Sequence, residues 1–299
     1  VGYRLKKNEG IEQGVRRIAR EQIQKSLDEL SDSELKISLK VHRIRKRCKK
    51  LRAVVRLVRP ALGQTCDREN ANFRDTARLL SRARDAKTAL DTYDEVMETF
   101  ADQVQRKAFG SIRRELTERR KALLDEGINL KDRLREAAGR LEAARDRIPT
   151  WQLSEEGFAA VRGGLKKTYT RACKEMDRVG EDPTDENFHD WRKRVKYHRY
   201  HCQILSPLWP AEMTSRQDEA DRLGDYLGDD HDLAVLRAQV VETPGAFGTE
   251  RDIQAFLGLV DQRRELLQQK CFLIGRRLFA EKPGSICKRI GKYWDVWQL

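Results

Sequence analysis

Two stretches of this chain repeat each other at a constant offset. Val41 to Pro60 reads VHRIRKRCKKLRAVVRLVRP, and Phe188 to Pro207 reads FHDWRKRVKYHRYHCQILSP. An offset of 147 (189 − 42) places His42 on His189, Arg45 on Arg192, Lys46 on Lys193, Arg47 on Arg194, Lys49 on Lys196, Arg52 on Arg199 and Pro60 on Pro207. The same offset carries Leu80 onto Leu227, Arg84 onto His231 and Asp85 onto Asp232, within LLSRARD and YLGDDHD. Upstream, Gly14-Val15-Arg16-Arg17 resembles Gly164-Leu165-Lys166-Lys167 at an offset of 150 (164 − 14). A duplication this long divides the chain into two related halves, 1–150 and 151–299, interrupted at Ile148-Pro149-Thr150. Such a unit tends to pack on its twin about a pseudo-twofold axis.

Each repeated stretch is an amphipathic helix. At about 100° per residue, His42, Arg45, Lys46, Lys49, Arg52 and Arg56 share a stripe about 120° wide. Ile44, Cys48, Leu51, Val55 and Val58 fall opposite. The polar face carries one sign of charge, whereas a solubilising face mixes signs. If the two helices face one another, their stripes converge on one groove or pore, and His42 to Arg52 spans about 15 Å along the axis.

Helical periodicity holds through nearly the whole chain, and no stretch alternates long enough to be a strand. The pattern predicts helices over 9–30, Val41–Pro60, 68–90, 91–126, 128–147, 155–179, 185–206, 212–241 and 249–280. Gly245 to Gly248 reads as a flexible loop, and the tail from Ile286, with Trp294 and Trp297, as a segment packed back on the body.

The 299 residues carry 61 Lys+Arg against 48 Asp+Glu, a formal charge of +13, which points to a polyanionic partner. No run of apolar residues is long enough to span a membrane, and the first ten residues, VGYRLKKNEG, show no leader pattern. The six cysteines form no CxxC pair and read as reduced, mostly buried thiols, so a cytoplasmic location is expected.

Arg offers phosphate a planar fork of donors, and Lys a compact charge. His42 and His189 lie within the stripes and can donate to phosphate. His198 and His201 stand one helical turn apart, but His198 faces the apolar side and matches Leu51, so a buried structural histidine is expected rather than a metal ligand. Asp229, Asp230 and Asp232 suit capping at a helix start better than a two-metal hydrolase, because no second acidic cluster accompanies them. The chain lacks GxxxxGK[ST], a Rossmann glycine motif, HExxH and GxSxG. No metal, cofactor or catalytic residue is therefore assigned.

The two His-initiated basic helices, each followed by an LxxxxD-type segment, resemble the conserved histidine α-helical (CHAD) domain over most of the chain. FHDWRKRVKYHRYHCQILSPLWP followed by LGDDHDLAVL is the more specific part. The resemblance implies a single all-α domain of two four-helix-bundle-like halves with pseudo-twofold symmetry. It also implies non-enzymatic binding of inorganic polyphosphate in a basic groove or pore, and association with polyphosphate granules. Carried over residue by residue, the implied site is His42, Arg45, Lys46, Lys49, Arg52 and Arg56 with His189, Arg192, Lys193, Lys196 and Arg199. Arg17, Arg20, Lys166 and Lys167 join from the first helix of each half, and Arg84 and His231 from the following segment. Ser81 stands where the family usually has Gly. The ExExK signature of the CYTH domain that often accompanies CHAD is missing here, which suggests a stand-alone binding module.

Two other readings share the basic surface. Nucleic acid fits the charge, but Tyr200 is almost alone as a stacking aromatic and no helix-turn-helix unit is visible. A phosphohydrolase acting on phosphate polymers lacks its acidic metal cluster. Under the polyphosphate reading, charge reversal at Lys193 or Arg192 weakens binding without unfolding.

Overall fold

The computed structural model describes residues 2–80, 82–125 and 130–299, and the side chains of all of these except 82–87 and 123–125. Among the described residues the chain is all-α, with thirteen α-helices and no strand. The first half holds α1 (Ile11–Ser31), α2 (Ile37–Leu57), α3 (Arg59–Leu62), α4 (Gln64–Leu79), α5 (Arg82–Thr99), α6 (Gly110–Asp125) and α7 (Leu130–Arg147). The second half holds α8 (Gly157–Glu181), α9 (Asp185–Leu205), α10 (Pro210–Glu242), α11 (Pro244–Phe247), α12 (Glu250–Leu278) and α13 (Pro283–Gln298).

Local chemistry explains several boundaries. The Thr184 hydroxyl accepts from Asn187 N at 3.3 Å, and Asp185 and Glu186 occupy the first turn of α9, where carboxylates meet the positive end of the helix dipole. Thr249 caps α12 in the same way through Asp252 N at 3.2 Å. Pro60 stops the register of α2 and opens the short α3. Gly63, at φ 56°, then makes the turn into α4 in a conformation that side-chained residues resist.

Helices α1, α2, α4 and α7 pack together as one bundle. Ile11, Val15 and Ile18 of α1 and Ile44, Cys48, Leu51 and Val55 of α2 are buried in it. Arg147 of α7 reaches the fully buried Glu69 of α4 with two bonds of 2.8 and 2.9 Å. The second half packs α8 on α9, α9 on α10, and α10 on α12. One continuous core runs through both halves, from Tyr3 to Ile290.

Helices α5 and α6 do not join the first bundle's core. They lie against α10, α11 and α12 and build a second core, in which Tyr93 and Phe109 sit 5.6 and 5.8 Å from Phe256. This corrects the expectation of one helix over 68–90 and another over 91–126. The first breaks after Leu79, because the apolar face at Leu90, Tyr93 and Met97 is buried on the second half and the chain must change direction. The second breaks over 100–105, where the chain folds α6 back on α5. Ser81 lies outside the described residues.

Gly245 to Gly248, expected to be a loop, is mostly the short helix α11. Phe247 is fully buried there, with the Arg119 guanidinium 4.6 Å over its ring. The tail is α13, which packs on α8. Phe158 lies 6.4 Å from Trp294, and Arg289 ties the helix to Glu212 at 2.6 Å and Glu281 at 2.7 Å.

Candidate anion-binding site

The apolar faces of α2, α8 and α9 draw the two halves together, and small residues let them approach. A Cβ on Gly164 of α8 would stand 1.9 Å from the Leu57 carbonyl oxygen of α2, so backbone meets backbone at this crossing. Beside it, His201 Nε2 bonds the Ala53 carbonyl at 3.0 Å and pins α9 to the C-terminal part of α2. Burial pushes His201 down to about 3, with Arg56 and Arg59 adding to the effect, so its imidazole is neutral and donates this bond at neutral pH. His198 is also fully buried, 5.3 Å from the Tyr169 ring and 5.5 Å from Phe279, and burial holds it well below the ordinary histidine range. Both histidines are fully buried, as the wheel position of His198 suggests.

On one side of the crossing lies a cleft of about 420 Å³. Helix α2 lines it with His42, Arg45, Lys46 and Lys49, and α9 with Arg192, Lys196, Arg199 and Tyr200. The third wall is α10, which contributes Asp221, Asp225, Gly228, Asp229 and Asp232. Arg199 Nη2 pairs with Asp221 Oδ2 at 2.8 Å, and Arg45 Nη1 donates to the Ala77 carbonyl at 2.8 Å. Gly228 makes room for Arg192, since a Cβ there would lie 2.8 Å from Arg192 Nη2.

Asp229, Asp230 and Asp232 were expected at a helix start as caps. They lie instead well inside α10, which runs unbroken from Pro210 to Glu242. They divide by face. Asp230 is buried, accepting from Arg264 Nε at 3.0 Å and Gln268 Nε2 at 2.9 Å. Asp229 and Asp232 line the cleft. Burial pushes the Asp229 carboxyl up to about 6, helped by the like charges of Glu95, Asp225 and Asp232. Among the described residues no group of three His, Cys, Asp or Glu side chains is arranged to hold a metal ion.

His189 and His231 stack at 4.3 Å between ring centroids. Burial pushes both down to about 4, and cations including Arg192 and Lys193 push the same way, so both are neutral at pH 7. Arg52 and Arg56 do not line the cleft. Their Nε atoms both donate to Asn70 Oδ1, at 3.1 and 3.0 Å, and their guanidinium carbons lie 5.7 and 4.4 Å from the Tyr197 ring centroid. Arg56 is lowered to about 10, first by burial, against the pull of Tyr197, and then by Arg52, Arg59 and Arg194, whose share marks a crowded positive field. Lys50, pushed down to about 8 by burial and then by Lys46, Arg47 and Arg199, reports the same crowding nearer the cleft.

Of the remaining sequence-expected positions, Arg17, Arg20, Lys166, Lys167 and Lys193 lie outside the cleft lining. Arg17 is held by Glu9 and Glu21 and by the Arg4 carbonyl. Arg20, Lys166 and Lys167 are exposed, and Lys193 pairs with Asp190 at 2.6 Å. Arg84 is in α5, but its side chain lies outside the described residues. Asp221, Asp225 and Gly228 carried no expectation from sequence. Their signal was present, because 221, 225, 229 and 232 fall on one face of a helix, with Gly224 and Gly228 beside them.

The CHAD domain family model matches residues 17–241, which includes both basic helices and most of α10. The chain belongs to the CHAD domain family. Its fold is similar to that of PptA from Streptomyces chartreusis, with a TM-score of 0.58 at 15% sequence identity, covering 89% of this chain and 98% of that one. No curated protein sequence matches it. No helix among the described residues is long and apolar enough to cross a membrane.

Proposed function

We propose that this CHAD protein binds inorganic polyphosphate in the α2–α9–α10 cleft without turning it over. The observation that carries the reading is the placement of six Lys and Arg side chains on one cleft, three from each copy of the repeated helix: Arg45, Lys46, Lys49 and Arg192, Lys196, Arg199. Each successive phosphate of a chain adds a contact within one complex, so a polymer outbinds orthophosphate. His42 adds a donor from the cleft wall, and His189 and His231 lie next to Arg192 and Lys193, where a bound polyanion would raise their proton affinity. Arg52 and Arg56, with Arg59, Arg171 and Arg194 near them, supply a further positive field past the crossing. In a cell that stores polyphosphate as granules, a module of this kind is carried to them.

The test is a competition among polyphosphate, RNA and duplex DNA at fixed ionic strength, with phosphate release followed in the same samples. The expected result is preferential displacement by polyphosphate, affinity that falls as salt rises, and no released orthophosphate. Equal affinity per charge for all three polymers refutes the polyphosphate reading in favour of a general nucleic-acid-type surface. Magnesium-dependent phosphate release establishes an enzyme instead.

A further inference from the structure

The cleft is not basic all round. Its α2 and α9 walls carry the cations, while the α10 wall carries four carboxylates in a row along one helix face. A cleft built only to maximise attraction for anions has no use for such a wall. Asp221 pairs with Arg199 and so occupies a donor that a phosphate could take. Asp225 is exposed, at the rim. Asp229 and Asp232 lie further along the same face, and the carboxylates at 225, 229 and 232 are near enough to feel one another. The wall is therefore a built repulsive element facing a built attractive one.

We propose that this aspartate row of α10 sets the selectivity of the cleft, by repelling polyanions that carry phosphates on more than one strand. The inference rests on the polyphosphate reading and deepens it. A phosphate polymer is single-file and places all its charge against α2 and α9, away from α10. A duplex carries two phosphate rows separated by grooves about 6 and 12 Å wide. It is too wide to enter a cleft of about 420 Å³ and meets it across both rims. One strand then faces the cations and the other the carboxylates. Specificity of this kind comes from cost imposed on the wrong ligand, beyond attraction for the right one.

The experiment compares three proteins: the unaltered chain, the cleft variant Asp225→Asn/Asp232→Asn, and the control Glu219→Gln/Glu242→Gln. The control removes two negative charges from positions of α10 that do not line the cleft, and Glu219 falls off the face that carries the aspartate row. Helicity is checked by far-ultraviolet circular dichroism, and dissociation constants for polyphosphate and duplex DNA are measured at one ionic strength. The expected result is a gain of about tenfold for duplex and less than about threefold for polyphosphate in the cleft variant, with the ratio unchanged in the control. A cleft variant that keeps the original ratio overturns the inference and leaves polyphosphate binding standing. The same holds if the control shifts the ratio as far as the cleft variant does. An unaltered chain with no preference for polyphosphate overturns both readings.

Discussion

Gly228→Ala separates the stability of the fold from the working of the site, because it moves the two in opposite directions. Gly228 is buried in the interior of α10, and a Cβ there would stand 2.8 Å from Arg192 Nη2. The contact falls on the far end of a flexible side chain, so the guanidinium can swing aside while the backbone stays in place. Replacing glycine by alanine inside a helix stabilises by about 0.5–1 kcal/mol. Displacing the Arg192 fork forfeits a charge-assisted bond to phosphate worth about 1.5–3 kcal/mol. At about 1.4 kcal/mol per factor of ten, polyphosphate affinity falls roughly 10- to 100-fold. Denaturant unfolding of the free protein measures the first effect, and fluorescence titration with polyphosphate the second. Unchanged affinity in a variant that unfolds at equal or higher denaturant would refute the assignment of Arg192 as a ligand. Gly164→Ala is the contrast, since its Cβ would meet the Leu57 and Arg56 carbonyl oxygens at 1.9 and 2.4 Å and backbone cannot step aside. That variant is expected to be destabilised outright.

Charge reversal now distinguishes neighbours. Arg192→Glu is expected to weaken polyphosphate binding far more than Lys193→Glu, because Arg192 lines the cleft and Lys193 pairs with Asp190 outside it. Equal losses in a titration would mean that net charge, and not the cleft, governs affinity. The pH dependence follows from His189 and His231, lowered from 6.5 to about 4, and His201, lowered to about 3. Below 6.5 the unfolded chain binds more protons than the folded one at these three sites, so their contribution is full above 6.5 and is lost as pH falls toward 4 and 3. Asp229, raised from 3.8 to about 6, acts oppositely on stability over that window, and its protonation removes a negative charge from the cleft. Thermal melts are expected to show the free protein losing stability from pH 6.5 to 4, the lowered histidines, His198 among them, outweighing the raised carboxyls of Asp221, Asp229 and Asp230. Titrations are expected to show polyphosphate affinity rising from pH 7 to 5, and Asp229→Asn flattening that rise.

Much of this protein could be read along the chain. The all-α class came from periodicity, which needs only the spacing of apolar residues on a rigid helix. The apolar face of α2 behaves as the wheel requires, with Ile44, Cys48, Leu51 and Val55 all buried. The burial of His198 followed from its place opposite His189. The path of the chain after Leu79 did not follow, because α5 is amphipathic on either partner and only packing decides which surface covers it. The two copies of the basic motif are alike in sequence, yet their uses differ. Lys46 lines the cleft and its counterpart Lys193 does not, while Arg199 lines it and its counterpart Arg52 turns to Asn70 and Tyr197. Sequence determined which side chains share a helix face, since that is fixed by about 100° per residue. Which faces meet was decided by the crossing, where Gly164 meets Leu57 and His201 meets Ala53, because those contacts join residues more than a hundred positions apart, and α10 then brings its aspartates alongside.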